Sequence, residues 1–282
     1  METRDTALKH PRALGIACAI TATGLGLLYM TLAGAPLVYI TVNVLSLIMG
    51  LALIVVIRLT APGSMFSGSA VVVLGSLLLV TALFGVTVEG ASRWMRVGGL
   101  SLQPSLIVLP AMLVAFARSR DLLAAVGMVV AAAALALQPD RAMAGVLVAA
   151  LGVLAMYRQE RRVVLTLTVA FLGFIVTLIR PDSLPAVPYV DQILYTSFDV
   201  HALAGIAVLC GALLLVVPGV AGQWTDRTNR DIHAVFGTVW LGIVVAAALG
   251  NYPTPLVGYG GSAILGYGLS LAFLPSRMGS DQ

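Results

Sequence analysis

Charge is scarce in this chain. Only 10% of its 282 residues are charged, against 60% hydrophobic, and mean hydropathy is +1.02. A water-soluble domain carries roughly 25% charged residues, so the composition excludes one. Cysteine is nearly absent too. Cys18 and Cys210 both fall inside apolar runs, which reads as packing and argues against a disulfide framework or thiolate metal site. Long polar stretches are also lacking. The two longest, 88–103 and 180–199, are too short to build a core of their own. No fixed-period repeat is evident. The formal net charge of +4 does not point to a nucleic-acid partner, because the basic residues stand at the ends of apolar runs. The first of those runs has no small-residue cleavage site after a short core, and it reads as a true span.

What the chain does have is apolar segments, recurring from end to end at the length needed to cross a bilayer, about 20 residues. The expected fold class is therefore an all-α integral membrane protein. Ten candidate spans lie near 13–33, 37–58, 69–87, 104–117, 121–138, 142–157, 163–179, 200–221, 232–250 and 258–275. Residues 1–282 form a single polytopic membrane domain in this reading, without a soluble domain. With the N-terminus in the cytoplasm, the inner segments hold Arg4, Lys9, Arg12, Arg58, Arg118, Arg120, Arg158, Arg161, Arg162, Arg227, Arg230 and Arg277. The outer ones hold Arg93, Arg96, Arg141 and Arg180. Cytoplasmic loops collect lysine and arginine, so this asymmetry and the even span count agree, with both termini inside. Pro181, Pro185 and Pro188 favour an extended path through the outer interval 180–199.

The outer interval 90–105 stands out. It reads Gly90-Ala91-Ser92-Arg93-Trp94-Met95-Arg96-Val97-Gly98-Gly99-Leu100-Ser101-Leu102-Gln103-Pro104-Ser105. Arginines are unusual on that side, and arginine binds phosphate oxygens in a bidentate way. Arg93 and Arg96 are thus candidates to hold something negatively charged at the outer membrane surface, with ordinary interfacial arginines as the alternative. Trp94 either contacts the ligand or packs the loop in an aromatic belt. Glu89 is a candidate ion-pair partner for either arginine.

These residues resemble the signature G-A-R-R-W…G-x-F-S-x-Q-P-S of the SEDS family, the FtsW/RodA/SpoVE proteins of bacterial shape, elongation, division and sporulation. Gln138-Pro139-Asp140 resembles the family's Q-P-D-L-G-T. Pro255-Leu256-Val257-Gly258-Tyr259-Gly260-Gly261-Ser262 resembles its P-x-x-S-Y-G-G-S. The three motifs occur in the family's order, from about residue 68 onward, and the family also has ten spans with both termini inside. The resemblance implies a multi-pass protein of the bacterial cytoplasmic (inner) membrane. It implies polymerisation of peptidoglycan strands from lipid II, a disaccharide-peptide on undecaprenyl pyrophosphate, together with a class B penicillin-binding protein. The lipid-linked sugar precursor and the membrane are then partners, and nucleic acid is not. The cofactor is unknown, and a divalent cation is compatible with the family.

By this resemblance Arg93, Trp94, Arg96, Gln103, Asp140, Tyr259 and Ser262 are the candidate substrate-binding residues. The family's essential aspartate lies in an H-T-D-F stretch before the eighth span. Counted without gaps, that stretch falls on Tyr195-Thr196-Ser197-Phe198 and the aspartate position on Ser197. A short register shift brings Asp199 to the role, and Asp199 is the candidate catalytic base. The chain departs from the family elsewhere too. The glutamate and lysine that follow Q-P-S are Leu106 and Leu109, the L-G-T after Gln138-Pro139-Asp140 is Arg141-Ala142-Met143, and the 180–199 interval is short.

Each candidate also has a plainer role. Asp140 can cap a helix beginning near Ala142, or pair with Arg141 or a loop arginine. Asp199 can likewise cap the eighth span. Asp182 and Asp191 read as solvated loop residues. His201 stands two residues after Asp199, and a metal or proton-shuttle role competes with that of an interfacial histidine. His233 falls on the cytoplasmic side. Gly258, Gly260 and Gly261 lack the lysine of a phosphate-binding loop and read as allowing close helix approach. Three functions follow: a divergent lipid II polymerase, a non-catalytic scaffold or regulator of an envelope synthase, and a lipid-linked-precursor flippase. The flippase ranks last, because the spans show almost no charged or broken-helix sites near mid-membrane.

Overall fold

The computed structural model describes residues 11–60, 68–180 and 184–275. Arg4, Lys9, Pro181, Asp182 and Arg277, for which sides or roles were expected, lie outside the described residues. The described chain is dominated by helices: α1 (Pro11–Leu32), α2 (Leu37–Thr60), α3 (Gly68–Phe84), α4 (Pro104–Ser119), α5 (Leu122–Leu137), α6 (Arg141–Tyr157), α7 (Arg161–Ile179), α8 (Ile193–Val200), α9 (Ala202–Leu214), α10 (Val217–Thr225), α11 (Arg230–Leu249) and α12 (Gly261–Phe273). The segments α1, α2, α7, α9–α10 and α11 are long and apolar enough to cross a membrane. Helices α3, α4, α5, α6 and α12 are apolar but shorter. The outer faces carry large exposed apolar side chains, such as Leu45, Ile48, Leu172 and Ile179, the surface that a hydrocarbon solvent favours.

Three segments differ from the sequence reading. Residues 86–102, read as the end of the third span and a loop, hold an antiparallel sheet in the order β1 (Val86–Val88), β2 (Ala91–Val97), β3 (Leu100–Leu102). Val88 pairs with Ala91 across Glu89-Gly90, and Val97 pairs with Leu100 across Gly98-Gly99. All four turn residues have positive φ, between 48° and 84°, as a two-residue hairpin turn of matching twist requires. The fold is thus mainly helical with a small sheet at one end. The interval 180–199 was read as extended. It is so at 184–187, but residues 193–200 form α8, where Ile193, Leu194 and Ser197 recur at helical spacing and are buried. Finally, the eighth span is broken. α9 ends at Leu214 and α10 restarts at Val217, with Pro218 in its first turn. Proline removes an amide donor from the ladder, and at the break the Leu215 carbonyl accepts the Tyr267 hydroxyl at 3.2 Å.

Close helix contacts rest on small residues. α3 and α5 cross where Gly75 meets Gly127; a Cβ on Gly75 would lie 2.5 Å from the Gly127 carbonyl oxygen. α12 presses on α4 at Gly266, where a Cβ would collide with the Leu106 carbonyl. Lipid supplies no hydrophobic drive between helices, so such approaches gain dispersion contacts instead.

Polar side chains gather at the two ends. At one end Arg12 donates to the carbonyls of Ala272 and Leu274, and Arg118 to that of Phe273 at 2.9 Å. There Arg158 pairs with buried Asp231 at 2.6 Å, and Arg120 with Glu160 at 2.9 Å. The opposite end carries the sheet, α8 and the loop before α12.

Candidate functional site

The sheet end brings the three motifs together. Asp140 is fully buried and caps α6 by accepting the Met143 amide at 3.2 Å, as the capping reading expects. Its second oxygen accepts the Ser105 hydroxyl at 2.9 Å and the Gln103 side-chain amide at 3.2 Å. These two side-chain partners are neutral donors from α4 and the residue before it. The backbone amide of Gln103 donates to Ser262 Oγ at 2.9 Å, which ties the start of α12 to the start of α4. Gln138 donates to the Leu78 carbonyl at 2.8 Å and so holds α3 beside α5.

Arg93 is 2% exposed. β2 alternates, so Ala91 and Arg93 face inward by the two-residue period of a strand. The guanidinium donates to the Pro139 carbonyl and lies 5.5 Å from the centre of the Tyr252 ring, a cation–π arrangement. The Tyr252 hydroxyl accepts the Ala142 amide at 3.2 Å. Arg93 thus joins the sheet to the α5–α6 corner. Trp94 is half-buried and Arg96 is exposed. Glu89 sits exposed on the hairpin turn.

Tyr259 belongs to a second cluster. Its ring stacks on Tyr39 with centroids 3.8 Å apart, and Tyr39 meets Tyr189 edge-on at 6.0 Å. Asn43, one turn after Tyr39 on α2, donates to the Gly258 carbonyl at 2.8 Å and accepts the Gly260 amide at 3.1 Å.

On α8, Ser197 is buried and its hydroxyl has no hydrogen-bond partner among the described residues, whereas Asp199 is exposed two residues on. The structure does not bring Asp199 into the Arg93–Asp140 cluster. His201 caps α9 through its Nδ1, which accepts the Leu203 amide at 3.1 Å. Asp191 corrects the expectation of a solvated loop residue. It is 8% exposed, accepts the Val187 amide at 2.8 Å, and bridges to Pro253. Burial raises its carboxyl above the usual range, against the lowering effect of that amide. Leu106 and Leu109, where the family has charged residues, are buried in the core. No group of three or more histidine, cysteine or acidic side chains suited to a metal occurs among the described residues.

Beside the cluster a cleft of about 830 Å³ opens between α6, α7 and α11. Its walls are apolar (Val146, Ala149, Phe174, Val245, Leu249), and Arg141, Gln192, Asn251 and Tyr252 stand at its mouth. The sequence reading singled out none of Tyr252, Asn43 or Ser105 as a site residue. Asn43 had a usable signal, a lone amide inside an apolar span. Tyr252 had none, since an interfacial tyrosine is common.

A bundle of apolar helices with a polar cluster knotted at one end is a multi-pass membrane protein. Residues 12–189 match the model of the FtsW/RodA/SpoVE family, described as cell cycle proteins; the chain belongs to that family. The likeness begins well before residue 68. No curated protein matches this chain. Among solved structures, the rod shape determining protein RodA of Thermus thermophilus is 20% identical over 92% of this chain and 93% of its own, with a TM-score of 0.66. A point mutant of the same protein is 19% identical over 92% and 94%, with a TM-score of 0.65. A third similar chain comes from a structure of a peptidoglycan synthase complex that coordinates polymerization and crosslinking. It is 21% identical over 91% of this chain and 96% of its own, with a TM-score of 0.60. At these identities the likeness speaks for the fold.

Proposed function

We propose that this protein works in peptidoglycan synthesis at the bacterial inner membrane and binds lipid II or a related polyprenyl-pyrophosphate sugar. The sheet end would face outward, ten helical segments would span the bilayer, and residues 1–282 would act as a single membrane domain. The observation that carries the reading is the convergence of all three signature motifs on Asp140, through Gln103, Ser105 and Ser262, in a chain of this family. Glycosyl transfer from a pyrophosphate needs a base for the attacking sugar hydroxyl and positive charge near the leaving group. The polymerase reading assigns the base to Asp199 and the charge to exposed Arg96. A class B penicillin-binding protein is the proposed partner, supported by the peptidoglycan synthase complex among the similar structures.

A second reading, a non-catalytic scaffold or regulator of an envelope synthase, has its own support. Counted without gaps, Ser197 falls on the family's aspartate position, and it is buried; Leu106 and Leu109 are core residues. Reconstitution with labelled lipid II separates the two, with and without a penicillin-binding partner. Polymer that is lost in Asp199→Ala and kept in Asp182→Ala establishes the enzyme. Lipid II bound but never polymerised establishes the scaffold. Neither binding nor polymer refutes the substrate assignment. The flippase reading remains behind both, since the α9–α10 break brings in no charged side chain.

A further inference from the structure

Of the charged signature residues, two are engaged within the protein and Arg96 is exposed. Arg93 is turned inward onto a carbonyl and a ring, and Asp140 is occupied by three donors. The cleft between α6, α7 and α11 is different. Gly145 and Gly242 thin its floor, and apolar side chains line it from Leu249 near the mouth to Gly242, a depth of about 10 Å at the helical rise. At the mouth stands Arg141, half-buried at the first turn of α6. Its Nη2 donates to the Arg180 carbonyl at 3.1 Å, and no carboxylate pairs with it among the described residues. Arg180 lies alongside, donating to the Ala136 and Leu137 carbonyls. An apolar trough ending in an arginine that has no carboxylate partner among the described residues matches a lipid with an apolar chain and a phosphate head.

We infer that Arg141, which replaces the leucine of the family motif, binds the phosphate of a polyprenyl-phosphate lipid whose chain lies in the α6–α7–α11 cleft. This rests on the lipid-linked substrate proposed above and moves its phosphate contact from the signature loop to a residue particular to this chain. Tyr252 joins the cleft to the Arg93 cluster, because its ring lies under Arg93 while it also lines the mouth. A head group held at Arg141 therefore stands next to the signature residues.

The test is binding of undecaprenyl phosphate to the full-length protein in phosphatidylcholine nanodiscs. Arg141→Gln is expected to weaken binding about tenfold or more, the worth of a charge-assisted contact, and Arg141→Lys to restore part of it. Ala149→Trp, on the exposed face that lines the trough, is expected to block the chain. Arg161→Gln, at the opposite end, removes the same charge and leaves binding unchanged. Thermal midpoints of all variants report folding separately. Binding that persists unchanged in both Arg141→Gln and Ala149→Trp overturns the inference while leaving a lipid-linked substrate possible elsewhere. Equal competition by phosphatidylglycerol overturns the polyprenyl assignment. Absence of undecaprenyl phosphate binding in the wild type, with lipid II still bound, overturns the inference alone. Loss of both ligands overturns it together with the proposed function.

Discussion

Arg93 shows how far a residue's role depends on the direction in which it points. In the sequence it is a cation on the side where cations are scarce. In the structure β2 turns it inward, and it becomes a strut between the sheet and the α5–α6 corner. Arg93→Ala is expected to lower stability by roughly 2–3 kcal/mol, from the lost charge-assisted bond, the lost ring contact and an orphaned carbonyl; thermal unfolding in detergent measures it. Asp140→Ala should cost about as much, combining a lost cap of about 1 kcal/mol with stranded donors on Ser105 and Gln103. Asp191 supplies a pH signature. Its carboxyl is raised in the folded state by burial, so its contribution to stability is fully present below its unfolded value of about 3.9. That contribution is lost as pH rises through the folded value. Asp191→Asn keeps an acceptor for the Val187 amide and carries no charge. Its unfolding midpoint should exceed that of the wild type at pH 7, with the gap closing toward pH 4.

At the scale of elements, the glycines at helix crossings set the spacing that brings the motifs into register. Gly266 lets α12 lie on α4, and Ser262 at the start of α12 then reaches the Gln103 amide. Gly266→Ala is expected to push the helices apart, at about 1–3 kcal/mol for an overpacked contact, and to weaken the Ser262–Gln103 bond. Amide exchange at Gln103, faster in the variant, reads the second effect independently of the first. The sheet was hidden for a different reason. Its strands are three to seven residues long and half exposed, so alternation is weak over so short a run. The second hairpin turn was legible in principle, since Gly98-Gly99 is a dipeptide suited to positive φ; the first was not, because Glu89 takes a positive φ that a glutamate seldom adopts. α8 was masked by prolines upstream, which govern 184–188 but not the residues after Gln192.

For the whole molecule, the arrangement of arginines makes a prediction about sides. The described helix ends divide into one carrying Arg12, Arg58, Arg118, Arg120, Arg158, Arg161, Arg162, Arg227 and Arg230, and one carrying Arg93, Arg96, Arg141 and Arg180. By the positive-inside rule the first faces the cytoplasm. In a cysteine-free background, an Arg96→Cys variant should react with an impermeant maleimide in intact spheroplasts. An Arg161→Cys variant should react only after permeabilisation. The reverse pattern would invert the topology and remove the outward-facing site.

Hydropathy and the positions of polar breaks were enough to specify a bundle of apolar helices, because in lipid every backbone amide must be satisfied within its own segment. The motifs were enough to indicate the family. Those properties are local, or periodic along one stretch of chain. Which way Arg93 points, what Asp140 binds, and which cation is left for a ligand depend on side chains 35 to 159 residues apart meeting in space. No local pattern encodes such meetings. The tertiary structure decided them, through glycine-thinned helix crossings and a strand period that buried one arginine and left its neighbour Arg96 exposed.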